Sequence, residues 1–124
     1  MGTDTTTLEG FISVQAALKA RSRPVYKIFV EQTRRDYDIG KLEKLARFAN
    51  VPMLRIRESE LERMTDGNTH GGVVATVGDR VYTPLADLCT APNPFVVMLE
   101  GVEDPFNFGQ AVRALYAAGV AGIV

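Results

Sequence analysis

Apolar residues in the first two thirds of this chain alternate between helical and strand spacing. Val14, Ala17 and Leu18 follow Ser13, which suits an N-cap, so a helix is expected from Ser13 to about Arg21, ahead of Pro24. Val25 to Val30 (VYKIFV) alternates and is rich in β-branched and aromatic residues, the pattern of a strand. Asp38 is placed to cap a helix with Ile39, Leu42, Leu45, Ala46 and Ala49 on one face. A short strand is expected over Val51 to Ile56. Ser59-Glu60-Leu61-Glu62 then reads as a capping box opening a helix that ends near Met64. Asp66-Gly67-Asn68 is turn chemistry, and Val73 to Val77 (VVATV) is a strand. Gly2 to Thr7 reads as a disordered polar tail.

The rhythm breaks at Asp79. From there to Pro94 the chain holds Pro84, Pro92 and Pro94 and one brief apolar patch, Leu85 to Leu88, as expected of a linker with at most one helical turn. Phe95 to Leu99 (FVVML) is uninterrupted, the mark of a strand buried on both faces of a parallel sheet. A polar loop with Asp104-Pro105 and Asn107-Phe108-Gly109 follows. A helix with Phe108, Val112, Leu115 and Tyr116 as its core stripe comes next, and then the opening of another strand. Two α/β sets are therefore expected. Leu8 to Val77 would close into a small α/β/α sandwich, and a second set begins at Phe95 and stops as its second strand starts. The expected divisions are 1–78, a linker over 79–93, and 94–124, with the chain a fragment of a longer α/β protein.

Overall charge adds little to this picture, with a formal net charge of −1, but its distribution does. Lys19 to Arg57 holds eleven Lys/Arg against four Asp/Glu, whereas Val81 onward holds one against four. A basic first half suits contact with phosphates, and a solvated helical face explains the same counts equally well. Cys89 is the only cysteine, which excludes an intrachain disulfide and a cysteine metal cluster and favours the reducing cytosol. No apolar run approaches the ~20 residues of a membrane span, and the N-terminus lacks a signal-peptide pattern.

Candidate chemistry gathers at the second set. Asp104 and Asn107 flank a strand-end loop, where ligands collect in open α/β sheets. Gly109 permits close approach, and Arg113 follows less than two turns after Asn107, so their side chains can reach a common region. A plain helix cap with an exposed Arg113 is the simpler alternative. In the first set, Arg21, Arg23, Arg34 and Arg35 are candidate phosphate contacts. His70, beside Gly71 and Gly72, suits a base or phosphate contact or a plain turn. No metal site is expected.

Asn107-Phe108-Gly109-Gln110-Ala111-Val112-Arg113, followed by Ala117-Ala118-Gly119-Val120, resembles the first motif of the SpoU family of RNA ribose 2′-O-methyltransferases, in the knotted SPOUT class. Glu103-Asp104-Pro105 and the preceding apolar strand match as well. Leu8-Glu9-Gly10, Ala16-Ala17-Leu18-Lys19-Ala20, Leu45-Ala46, Val51-Pro52 and His70-x-Gly72-Val73-Val74-Ala75 are similar to the family's N-terminal substrate-binding domain, itself like kink-turn-binding ribosomal proteins. Gly71 stands where Gln often follows the histidine, and Gln110 and Leu115 stand where smaller residues are frequent.

The resemblance implies the following. The first set binds RNA through Arg21, Arg23, Arg34, Arg35 and His70. The second set is the start of a trefoil-knot domain in which Arg113 and Asn107 are catalytic and Asp104 and Gly109 shape the site. In the intact enzyme a ribose 2′-hydroxyl attacks the methyl of S-adenosylmethionine. Because that hydroxyl is a poor nucleophile, Arg113 orients it or shares its proton. The motifs that hold the cofactor are expected beyond Val124, so this chain should bind RNA without binding the cofactor or methylating. Ribosomal RNA is favoured over transfer RNA, in a cytoplasmic homodimer, with no role for DNA or membrane. The competing readings are a non-catalytic RNA-binding module of the kink-turn-binding kind and, with no glycine-rich phosphate loop to support it, a nucleotide-binding α/β domain.

Overall fold

A computed structural model describes residues 4–67 and 69–124. Gly2 and Thr3 of the expected tail and Asn68 of the expected turn lie outside the described residues. The chain divides into two compact units, Met1–Val81 and Tyr82–Val124.

The first unit is a four-stranded sheet in the order β1-β4-β2-β3, built from β1 (Thr6–Glu9), β2 (Val25–Glu31), β3 (Met53–Ile56) and β4 (Val73–Val77). β4 runs antiparallel to both β1 and β2, while β2 and β3 are parallel. Helices α1 (Phe11–Ala20) and α2 (Tyr37–Phe48) cover one face. Their Val14, Leu18, Ile39, Leu42 and Ala46 meet Ile28 and Val30 of β2 and Val73, Ala75 and Val77 of β4. Period-two alternation turns Val74 to the other face. There α3 (Glu58–Met64) approaches β2 and β4 and buries Leu61 completely. The result is the three-layer α/β/α sandwich that the alternating pattern predicts. Each fully buried Leu, Ile or Val contributes roughly 1.5–3 kcal/mol.

Several local expectations are corrected. Thr6 and Thr7 belong to β1 and not to a disordered tail, paired with Val77 and Thr76. Three polar residues in a row show no alternation, so only the partner strand reveals them. Helix α1 starts two residues before Ser13, at Phe11, because Gly10 (φ 90°) turns the chain and donates its N–H to Val73 O at 2.9 Å. Asp36, and not Asp38, caps α2, accepting from Ile39 N at 3.1 Å. The expected box at Ser59–Glu62 is displaced: Glu60 Oε2 accepts from Arg57 N at 2.9 Å, two residues closer to the strand.

The second unit contains α4 (Leu85–Leu88), β5 (Val96–Val97), α5 (Pro105–Ala118) and β6 (Gly122–Ile123). β5 and β6 pair in parallel around α5, a βαβ unit. Phe95 to Leu99 was expected to be buried on both faces; its backbone bonds across to β6 and its flanks from Phe95 O to Leu99 N, yet Val96 and Val97 are only half-buried and Met98 is 72% exposed. The expected core stripe of the helix is also corrected: Val112 and Leu115 are half-buried, but Phe108 is exposed and Tyr116 is 85% exposed. With one partner strand and one long helix described, neither face of this small sheet is closed.

Candidate RNA-binding and catalytic surfaces

Strand β2 separates the four arginine candidates of the first unit. Arg21 and Arg23 precede it and Arg34 and Arg35 follow it, so the two pairs stand at opposite ends of the sandwich, roughly 20 Å apart for seven residues at ~3.3 Å each.

At the carboxyl end of β2 the loop is tightly held. Arg34 Nε bonds Asp36 Oδ2 at 2.6 Å, and Arg34 Nη1 donates to the Gly71 carbonyl. Arg55 of β3 donates from Nη1 to Arg34 O at 2.7 Å and from Nη2 to Glu43 Oε1 at 2.9 Å. The Arg34 guanidinium beside it, then the Ile39 N–H, hold the Asp36 carboxyl below its ordinary range. Glu31 is likewise lowered, first by the Thr33 side chain, whose Oγ1 donates at 2.6 Å, and then by the Thr33 N–H. His70 is only 5% exposed, and its Nδ1 accepts from Gly72 N at 3.0 Å, which leaves the proton on Nε2 when the ring is neutral. Gly72 holds φ 79°, a conformation strained for any residue with a side chain, and a Cβ there would lie 3.3 Å from Arg34 Cδ. Arg34 and His70 are thus brought together through the Gly71–Gly72 turn, where both hold backbone. Arg35 is exposed beside them.

At the opposite end, the carboxyl ends of α1 and α2 border an open cavity of about 660 Å³. Arg21, Arg23, Pro24, Phe48, Asn50 and Val81 stand among its lining residues. Arg23 Nε is fixed on Gly78 O at 2.7 Å, and Val81 N donates to Ser22 O at 2.9 Å. Phe48 was not among the candidates. The signal was present: it falls off the Ile39–Leu42–Ala46 stripe of α2, and it is 80% exposed.

In the second unit Asp104 caps α5, its Oδ1 accepting from Phe106 N at 3.0 Å, with Pro105 at the first helical position. Asn107 and Gly109 therefore lie inside the helix and not in a loop. A Cβ on Gly109 would meet nothing within 4 Å, so no close approach in this unit requires that glycine. Six residues separate Asn107 from Arg113, about 120° around the helix and ~9 Å along it, so the helix does not bring them to one point. Arg113 is exposed and, among the described residues, in no ion pair. No group of three or more His, Cys, Asp or Glu side chains suited to a metal occurs among the described residues. No helix among them is long and apolar enough to cross a membrane.

This sandwich followed by a βαβ unit is an architecture found in solved methyltransferases. The structure is similar to an rRNA methyltransferase from Sinorhizobium meliloti (TM-score 0.64, 24% identity, 98% of this chain and 44% of that one). It is also similar to the SpoU methyltransferase AviRb from Streptomyces viridochromogenes, solved in complex with the cofactor AdoMet (TM-score 0.65, 16% identity, 96% and 44%). Residues 7–82 match the family profile described as RNA 2′-O ribose methyltransferase substrate binding. The chain therefore belongs to the SpoU family and carries its substrate-binding region. Among curated relatives, the 23S rRNA (guanosine-2′-O-)-methyltransferase RlmB of Bordetella pertussis is 30% identical over 124 residues, 97% of this chain and 50% of the relative. The Ralstonia nicotianae enzyme of the same name is 31% identical over 121 residues, 94% and 48%. The chain spans about half the length of the curated relatives it matches.

Proposed function

We propose that this chain is the RNA-recognition part, with the first catalytic elements, of a ribose 2′-O-methyltransferase acting on ribosomal RNA. The match of residues 7–82 to the substrate-binding family carries this reading. Its relatives are named as 23S rRNA enzymes, which favours ribosomal over transfer RNA. The divisions proposed are an RNA-binding domain over 1–78, a linker over 79–93 and catalytic elements over 94–124. Arg21, Arg23, Arg34, Arg35 and His70 serve RNA binding, the first four by phosphate attraction or by holding the loops that present it. Asp104 fixes the start of α5, and Gly109 leaves room beside it for elements of the intact protein. Asn107 shapes the site, and Arg113 orients the ribose 2′-hydroxyl and stabilises the charge that develops as it loses its proton.

S-adenosylmethionine supplies the methyl group in the intact enzyme, which acts in the cytoplasm as a homodimer. The residues described here do not fit that cofactor by themselves, because no side chain described in Tyr82–Val124 is buried and the small sheet is open. On this reading the part of the protein described here supplies RNA recognition.

The test is filter binding of the chain to fragments of 23S ribosomal RNA and to transfer RNA over a salt series. Salt-dependent, tighter binding of the ribosomal fragments is expected. Equal, weak binding of both would remove the proposed substrate. In the full-length protein, Arg113→Ala should abolish methylation while RNA affinity stays within about threefold. Near-normal turnover would remove Arg113 from the chemistry.

A further inference from the structure

We propose that the cavity at the carboxyl ends of α1 and α2 takes one unpaired nucleotide of the RNA, its base against Phe48 and its backbone phosphate at Arg21. The inference rests on the RNA-binding reading above and adds a site and a binding mode to it.

Size comes first. About 660 Å³ lies within the range of small-ligand sites and is ample for one nucleotide. Phe48 offers a ring face that folding does not use: it is 80% exposed, and the core stripe of α2 lies elsewhere on the helix. Every base has a π-face, so an exposed ring beside cationic side chains captures splayed-out bases whatever their sequence. A base inside a duplex has no free face to give it.

The backbone is shaped around the same cavity. Arg21 (φ 52°) and Asn50 (φ 56°) both adopt the left-handed conformation, and both line it. These reversals end the two helices side by side. The carboxyl ends of helices carry partial negative charge, which disfavours a phosphate deep in the cavity and favours hydrogen-bond donors there. A base edge carries such donors, and the Asn50 amide can both give and accept. The phosphate belongs at the rim, where Arg21 is exposed and, among the described residues, in no ion pair. Lys19 and Arg47, in the last turns of α1 and α2, add positive charge. Among the described residues no Asp or Glu lines the cavity.

The experiment uses the whole chain and a short oligoribonucleotide, single-stranded or annealed to its complement, read by fluorescence anisotropy. Phe48→Ala should weaken single-strand binding about tenfold and change duplex binding less than about twofold. Phe48→Trp should restore it. Arg21→Gln should lower the slope of log Kd against log salt by about one. Circular dichroism melts that match the parent chain establish that the variants fold, as the exposure of Phe48 leads one to expect. Unchanged single-strand binding by Phe48→Ala, with loss of binding in Arg35→Gln, overturns the proposal and moves the RNA to the opposite end. Failure of the parent chain to bind any RNA overturns the RNA-binding reading itself, and the proposal with it.

Discussion

The first unit closes a core and the second does not. In the first, Val14, Ile28, Val30, Leu42, Leu61, Val73 and Val77 are all fully buried between three layers. In the second, no described residue is buried: Phe106 is 68% exposed, and each strand contributes two residues. Both units hold similar sequence motifs of strand, helix and strand. The difference is the number of neighbours. A sheet with helices on both faces removes its apolar residues from water, whereas one βαβ unit leaves most of its helix and half its strand wet. Cooperative stability therefore resides in the first unit, and the motif from Asn107 to Arg113 rides on the second.

Amide exchange tests this contrast most directly. Backbone amides of β2 and β4 should exchange about a thousandfold or more slowly than those of β5 and β6. Equal protection in a monomer would break the comparison. Next in size, Leu42→Ala should cost about 2–5 kcal/mol in denaturant unfolding of the first unit, with Val96 and Val97 amides unaffected. Gly72→Ala should cost about 1–2 kcal/mol, from its left-handed backbone and the crowding of Arg34. If it costs nothing, the Gly71–Gly72 turn does not anchor Arg34.

The smallest effect is in acid. Asp36 has its pKa lowered by Arg34, so its stabilising share is complete above the ordinary aspartate range and disappears as the pH falls through the lowered value. Asp36→Asn should flatten that part of the acid unfolding curve of the first unit and leave the second unchanged.

The architecture of the first unit was readable because VYKIFV and VVATV are long and β-branched, and because Ile39, Leu42 and Ala46 recur at helical spacing. Helix starts fall earlier than the pattern suggests for two reasons: Gly10 is set by a distant partner, Val73, and Asp36 competes with Asp38 as a cap and is selected locally by Ile39 N–H and the Arg34 guanidinium. β1 is hidden in the sequence because it pairs with a strand some seventy positions away. Counting charge along the chain merged Arg21 and Arg23 with Arg34 and Arg35, while a single strand carries the two pairs apart. Asn107 reads as loop in the sequence because Asn and Gly suggest turns, but Pro105 behind an Asp cap already begins the helix.

The order β1-β4-β2-β3 leaves two strands of four residues at the rims of the larger sheet. One is TTLE, opening on threonines, and the other is MLRI, with Arg55 tied into the loop and helix beside it. Short, polar or charged borders give a passing molecule little to zip onto. The sandwich should accordingly stay dispersed at the millimolar concentrations that spectroscopy demands, and fibril formation on prolonged storage should not begin there.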